Sequence, residues 1–146
     1  MNAADDSIVF PASAVAIGGR ALLIEGAPGS GKSSLALALI DGGATLIGDD
    51  AVTLSREGGT LVASPPPRIE GMLEVRGVGL VRMEVAPPCP VTLILTLGPQ
   101  GERLPERAGT RDLLGCAIPA LPFTPGAIAP AARARAALAM HGLHRD

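Results

Sequence analysis

The stretch "GAPGSGKS", Gly26 to Ser33, constrains this chain more than any other. It follows an apolar run, "RALLIE", and precedes one of helical composition, "SLALALI". It fits G-x-x-x-x-G-K-[ST], in which a loop wraps backbone N–H groups around phosphate oxygens. Glycines allow positive φ and close approach to the anion. A helix starting there adds its unpaired N–H groups and its positive dipole end. Lys32 is the only lysine in the chain; every other Lys or Arg position holds arginine. A compact, flexible ammonium suits the β/γ-phosphates of a nucleotide, where a planar, forked guanidinium does not. The bland alternative is a glycine-rich turn before an ordinary helix. It leaves both the strand-to-helix context and the placing of the single lysine unexplained. The expected nucleotide-binding residues are therefore Gly26, Ala27, Pro28, Gly29, Ser30, Gly31, Lys32, Ser33 and Ser34. Lys32 would reach the phosphates, and the Ser33 hydroxyl would face Mg²⁺.

Composition narrows the rest. A chain of 146 residues suits one compact domain, so a single domain over 1–146 is expected. Its 47% apolar residues suffice for a core, and that core must be aliphatic because Phe10 and Phe123 are the only aromatics. A net charge of −2 gives no electrostatic case for nucleic acid or an acidic membrane. The aromatics on which a single strand would stack are missing too. The opening "MNAADDSIVF" carries no signal pattern, and no apolar run approaches the roughly 18–20 residues of a membrane span. A soluble, cytoplasmic chain is expected. Cys89 and Cys116 lie far apart and read as reduced, small hydrophobes.

Along the chain, "SAVAIGGRALLIEG" reads as two short strands about Gly18-Gly19. "KSSLALALI" reads as a helix stopped by "DGG", and "ATLIGDD" as a buried strand ending in two acids. "AVTLSREGGTLVAS" reads as a hairpin about "REGG". "MLEVRGVGLVRMEV" mixes strand and turn signals, and "PVTLILTL" is a strand. "GPQGERLPERAGTRD" reads as an exposed, charged loop containing Arg103, Arg107 and Arg111, of the kind that often carries function. "PAARARAALAMHGL" fits a helix with Pro130 near its start and Gly142 beyond its end. His141 and His144 read as a solvated tail, where Asp146 is the one acid nearby and no Cys is present to complete a metal site.

Asp49 and Asp50 are the second chemical feature. If the helix packs back and the next strand runs parallel, that strand ends beside the glycine-rich loop, where ligands of α/β sheets gather. One Asp would then act as base on an attacking hydroxyl, and the other would hold Mg²⁺ or its waters. The plainer alternative is an Asp turn opening the next hairpin.

With these features in order, the chain resembles the catalytic domain of HPr kinase/phosphorylase. The matching stretches are "GAPGSGKSSLALALIDGGATLIGDD" and "ASPPPRIEGMLEVRGVGLV", in which "LEVRGVG", Leu73 to Gly79, fits a family signature. The resemblance runs from about residue 8 to 140 and is strongest over 21–82. It implies a P-loop-containing HPr kinase-like α/β fold with a β-rich core and few helices. It also implies the short alphaproteobacterial form, without the family's N-terminal domain. By resemblance, ATP and Mg²⁺ are the cofactors and the substrate is a serine of an HPr-like phosphocarrier protein of a phosphotransferase system. The family also runs the reverse, phosphorylase, reaction. It forms hexamers, so a homo-oligomer is implied.

The same resemblance assigns residues. Lys32 would contact the transferred phosphate, Asp50 would take the serine proton with Asp49 beside it, and Ser33 and Glu74 would serve Mg²⁺. Glu74, Val75, Arg76 and Gly77 belong to the signature. Arg103 matches a catalytic family Arg in a loop. Outside the resemblance, Glu74 and Arg76 stand at strand spacing and would simply share one solvated face.

One position departs from the pattern. The family carries a histidine fifteen residues before the first loop glycine, and here that place is Pro11. Proline cannot transfer a proton. Two further readings therefore stand beside the kinase: a catalytically impaired ATP-binding regulator that docks a partner protein, and a small-molecule kinase or NTPase.

Overall fold

The computed structural model describes residues 7–68, 70–99 and 105–144. Eleven strands and two helices follow in chain order among them. They are β1 (Ser7–Phe10), β2 (Ser13–Ile17), β3 (Arg20–Glu25), α1 (Lys32–Asp41), β4 (Thr45–Gly48), β5 (Val52–Glu57) and β6 (Thr60–Ser64). Then come β7 (Met72–Val75), β8 (Gly79–Arg82), β9 (Cys89–Leu97), β10 (Gly109–Leu113), β11 (Cys116–Phe123) and α2 (Pro130–His141). The expected α/β, β-rich fold with few helices is the fold observed.

Strand direction sets where the loops gather. β2 pairs antiparallel with β3 on one side and with β4 on the other, so β3 and β4 run parallel with β2 between them. β9 pairs parallel with β3, and β11 parallel with β9. The four parallel strands thus end at one edge of the sheet. There the chain leaves β3 into the glycine-rich loop and leaves β4 into Asp49-Asp50. β2, running the other way, begins at that same edge with Ser13, opposite Ile24.

Both faces of this sheet are covered. Leu22, Ile24, Leu46, Leu93, Leu95 and Leu97 pack with α1 and α2 through Leu35, Leu39, Ala134 and Leu138. Ala21, Leu23, Ile47, Val91 and Ile94 face the other way, onto Val52, Leu54, Leu61 and Ala63 of the β5–β6 hairpin. A register shift between β3 and β9 falls at Ala21/Leu22 and lets Val91 and Ile94, three apart, share one face. Two-sided burial explains why these strands read as continuous apolar runs rather than alternating ones. β9 also joins the two halves: its start pairs with β6, and its end pairs with β11.

The hairpin about Gly58-Gly59, the buried β4 and both expected helices are all present. Cys89 and Cys116 are free and buried in the core under the β5–β6 hairpin, and burial pushes the Cys89 thiol up. One expectation is corrected. The charged stretch after β9 is not all loop, because Gly109–Leu113 forms β10, paired along its length with β11. Local polarity hid a strand that its partner makes.

Two-sided burial has a measurable consequence. Leu93→Ala and Ile94→Ala each empty a fully buried site, on opposite faces of one strand. Each should lower unfolding free energy by about 2–5 kcal/mol in urea titration. A cost near zero for either would mean that its face is not packed.

Candidate active site

β3 delivers the chain into the loop at Gly26, and α1 begins at Lys32. Gly31, at φ 102°, makes the turn into the helix, a conformation that side-chain-bearing residues rarely adopt. Its carbonyl accepts the Leu35 N–H at 2.9 Å. Gly26 is required for another reason: a Cβ there would lie 2.6 Å from Ser30 Oγ and 3.2 Å from Leu97 Cβ. The loop is closed by the Ser30 N–H donating to Ala27 O at 3.0 Å.

The predicted residues converge. A cavity of about 430 Å³ is lined by the loop (Pro28, Gly29, Gly31, Lys32, Ser33, Ser34), by Asp50, and by the signature residues Glu74, Val75, Arg76 and Gly77. Lys32 Nζ donates to Gly26 O at 2.9 Å and stands 3.4 Å from Asp50 Oδ1. The lysine side chain is 13% exposed and that of Asp50 68%, so the pair joins a covered cation to an open carboxylate.

Asp49 has different surroundings. Its Oδ1 accepts from Ser33 Oγ at 2.7 Å and Ser13 Oγ at 2.8 Å, and its Oδ2 accepts the Glu74 N–H at 2.9 Å. Three donors from α1, β2 and β7 hold it. Asp50 takes φ 63°, which aspartate tolerates better than most side chains, and its N–H donates to Ser13 Oγ at 3.2 Å. The two acids are thus inequivalent: Asp49 is held by three donors, and Asp50 is open to the cavity.

Leu73 points into the helix-side core, while Glu74 is exposed at the cavity. Arg76 is exposed at the same cavity, and among the described residues no ion pair joins it to Glu74. Arg103 lies outside the described residues. Pro11 is exposed and stands two residues before Ser13, the start of β2, which reaches Asp49.

Sequence reasoning missed two features. Ser13 is fully buried and touches both acids. Glu25, the last residue before the loop, accepts from Arg111 Nη1 at 2.9 Å and from Thr96 Oγ1 at 2.6 Å, with Arg111 Nη2 closing a bidentate pair. Arg111 was expected in an exposed loop; it sits on β10 and reaches the foot of the glycine-rich loop. Burial pushes the Glu25 carboxyl up, but the Arg111 and Thr96 donors and the guanidinium charge outweigh it and hold the carboxyl below its ordinary value. The same pair raises Arg111.

The donor set fits a magnesium-bound triphosphate. Glycine gaps, a helix start, one covered cation and the Ser33 hydroxyl face one cavity, while Ser30 Oγ is buried without a partner.

Comparisons with known proteins agree with this picture. A family model described as the HPr Serine kinase C-terminal domain matches residues 4–86. The HPr kinase/phosphorylase of Clostridium botulinum (strain Eklund 17B / Type B) is 49% identical over 67 residues, covering 46% of this chain and 22% of that protein. That of Bordetella petrii is 40% identical over 113 residues, covering 68% of this chain and 37% of its own length. This chain therefore spans between about a fifth and just over a third of these curated relatives. A solved structure of the Hpr(Ser) kinase/phosphatase from Coxiella burnetii superposes with a TM-score of 0.74 at 26% identity, covering 88% of this chain and 87% of that one.

Glu25 gives a pH test. Its folded-state value lies below the unfolded one, so its stabilisation is present above about pH 4.5 and is lost as pH falls through the folded value. Glu25→Gln should lower the urea midpoint at pH 7, and the gap to the parent protein should narrow between pH 5 and 3. A gap independent of pH would remove the ion pair as its source.

Proposed function

The chain belongs to the HPr serine kinase C-terminal domain family, and from that premise we propose that it transfers phosphate from ATP to a serine of an HPr-like phosphocarrier protein. The observation that carries the proposal is the cavity that brings Lys32, Ser33 and Asp50 together with the signature residues Glu74 to Gly77. Other P-loop activities need the loop, but not this second segment across from it.

Phosphoryl transfer asks a protein mainly for position and charge. The loop amides and Lys32 hold phosphate oxygens. Lys32 now has Gly26 O and Asp50 as partners, and it exchanges them for the phosphate. Ser33 and Glu74 would hold Mg²⁺, which supplies charge neutralisation at the phosphates when bound. Asp50 accepts the proton of the serine hydroxyl as its oxygen bonds to the γ-phosphorus and the bond to the ADP oxygen breaks. Asp49, held by three donors, keeps Ser33 and the Glu74 backbone in place. In the reverse direction Asp50 returns a proton to the seryl oxygen as inorganic phosphate takes up the phosphoryl group, giving pyrophosphate. The work is done in the cytoplasm by a single domain, with Arg103 contributing a further charge and the chain assembling with copies of itself.

Pro11 favours a second reading, in which ATP binding controls partner docking without transfer. The two separate in one experiment: carrier protein, ATP and Mg²⁺ are incubated with the chain, and phosphoserine is read by intact mass. One added phosphate is expected, abolished by Lys32→Ala. Asp50→Asn should slow transfer by about 10²–10⁴-fold, the usual worth of a general base. ATP-dependent docking with no mass increase would establish the regulator instead. Full activity in Asp50→Asn would remove Asp50 as base.

A further inference from the structure

Ser13 is one of two fully buried polar residues among those described, the other being Thr92. Thr92 has a structural partner, Ala21 O at 3.3 Å, deep in the sheet. Ser13 stands instead at the edge where β3 and β4 end, and both its bonds go to the acid pair. Its hydroxyl proton goes to Asp49 Oδ1 at 2.8 Å, and its oxygen accepts the Asp50 N–H at 3.2 Å. A hydroxyl has one proton to give. Donating to Asp49 commits that proton and leaves the oxygen lone pairs to receive Asp50.

The consequence is a division of labour. Asp49 is half-buried and held by three donors. Asp50 is held by its amide in a left-handed conformation that sends its carboxylate outward, 68% exposed and 3.4 Å from Lys32. Aspartate adopts a left-handed backbone more readily than most residues, and here Ser13 anchors its amide. Apart from Ser13, no side chain of the described residues bonds the Asp50 amide. Alanine in place of Ser13 would remove both bonds and leave the Asp50 N–H without its acceptor.

We propose that Ser13 is the positioning residue of this site, fixing the Asp50 backbone so that its carboxylate, and not that of Asp49, faces the reacting hydroxyl. The inference rests on the reading of Asp50 as the acid–base group, and its test separates the two. Ser13→Ala should lower kcat for carrier phosphorylation by about 10–100-fold. KM for ATP, and the Kd of an ATP analogue measured by calorimetry, should stay within about threefold, because Lys32 and the loop amides are untouched. In an Asp50→Asn background the same substitution should cost almost nothing further, since a residue acting through Asp50 has nothing left to position. Losses that multiply, or an unchanged kcat in the single variant, would overturn the proposal. Should the parent chain transfer no phosphate, the kinase reading fails, and Ser13 is still tested by amide hydrogen exchange. Exchange at Asp50 should accelerate at least tenfold in Ser13→Ala while Leu46 and Ile47 keep their protection. Unchanged exchange at Asp50 would refute the assignment, and loss of protection throughout β4 would reduce Ser13 to a folding role.

Discussion

Asp49 is where three separate parts of the chain meet. Its carboxylate takes a hydroxyl from β2, a hydroxyl from the first turn of α1 and a backbone N–H from β7. Withdrawing a carboxylate from water is costly unless its oxygens find donors. The three donors meet that requirement, and in doing so they fix the edge of the sheet, the start of the helix and the signature hairpin relative to one another. The helix start and the signature hairpin both line the cavity. Neither acid could serve if β4 ran antiparallel to β3, because its end would then lie at the far edge.

The other flank of the loop is tied differently. Glu25 leads into Gly26 and is held by Arg111 and Thr96, from β10 and β9. Such a partly buried pair is not automatically stabilising, since both charges give up water. Here the guanidinium meets the carboxylate along two parallel bonds and a threonine adds a third, so the partners of Glu25 are supplied within the fold. The loop is therefore fixed at its entry by an ion pair and at its exit by the hub around Asp49.

The parts of this arrangement that were legible in the sequence are local. The G-x-x-x-x-G-K-S stretch, the turn at Gly18-Gly19, the Gly58-Gly59 hairpin and Gly142 after α2 all announce themselves within a few residues. Lys32, Asp50 and Glu74 were found by motif and resemblance, and they do line one cavity. Ser13, Glu25 and Arg111 were not, because nothing beside them in the chain marks them; their partners lie 36, 37 and 86 positions away. β11 was disguised by Pro119 and Pro122. Each of these lies where β11 has a neighbour on one side only, Pro119 with β10 and Pro122 with β9, so a missing N–H is tolerated.

β9 begins at Cys89, after the last residue of the stretch that marks the family, yet β3 has β2 on one side and β9 on the other. The residues bearing the recognisable chemistry are thus half of a folding unit. Without β9 the strand that carries the glycine-rich loop would be a bare sheet edge, with Leu22, Leu23 and Ile24 short of their neighbours. β9 supplies aliphatic side chains on both faces, a backbone paired in register with β3, and the Thr96 hydroxyl that donates to Glu25. The front half thus carries the glycine-rich loop and the acid pair, while the rear half supplies the strand that completes the sheet and, through Thr96 and Arg111, the partners of Glu25.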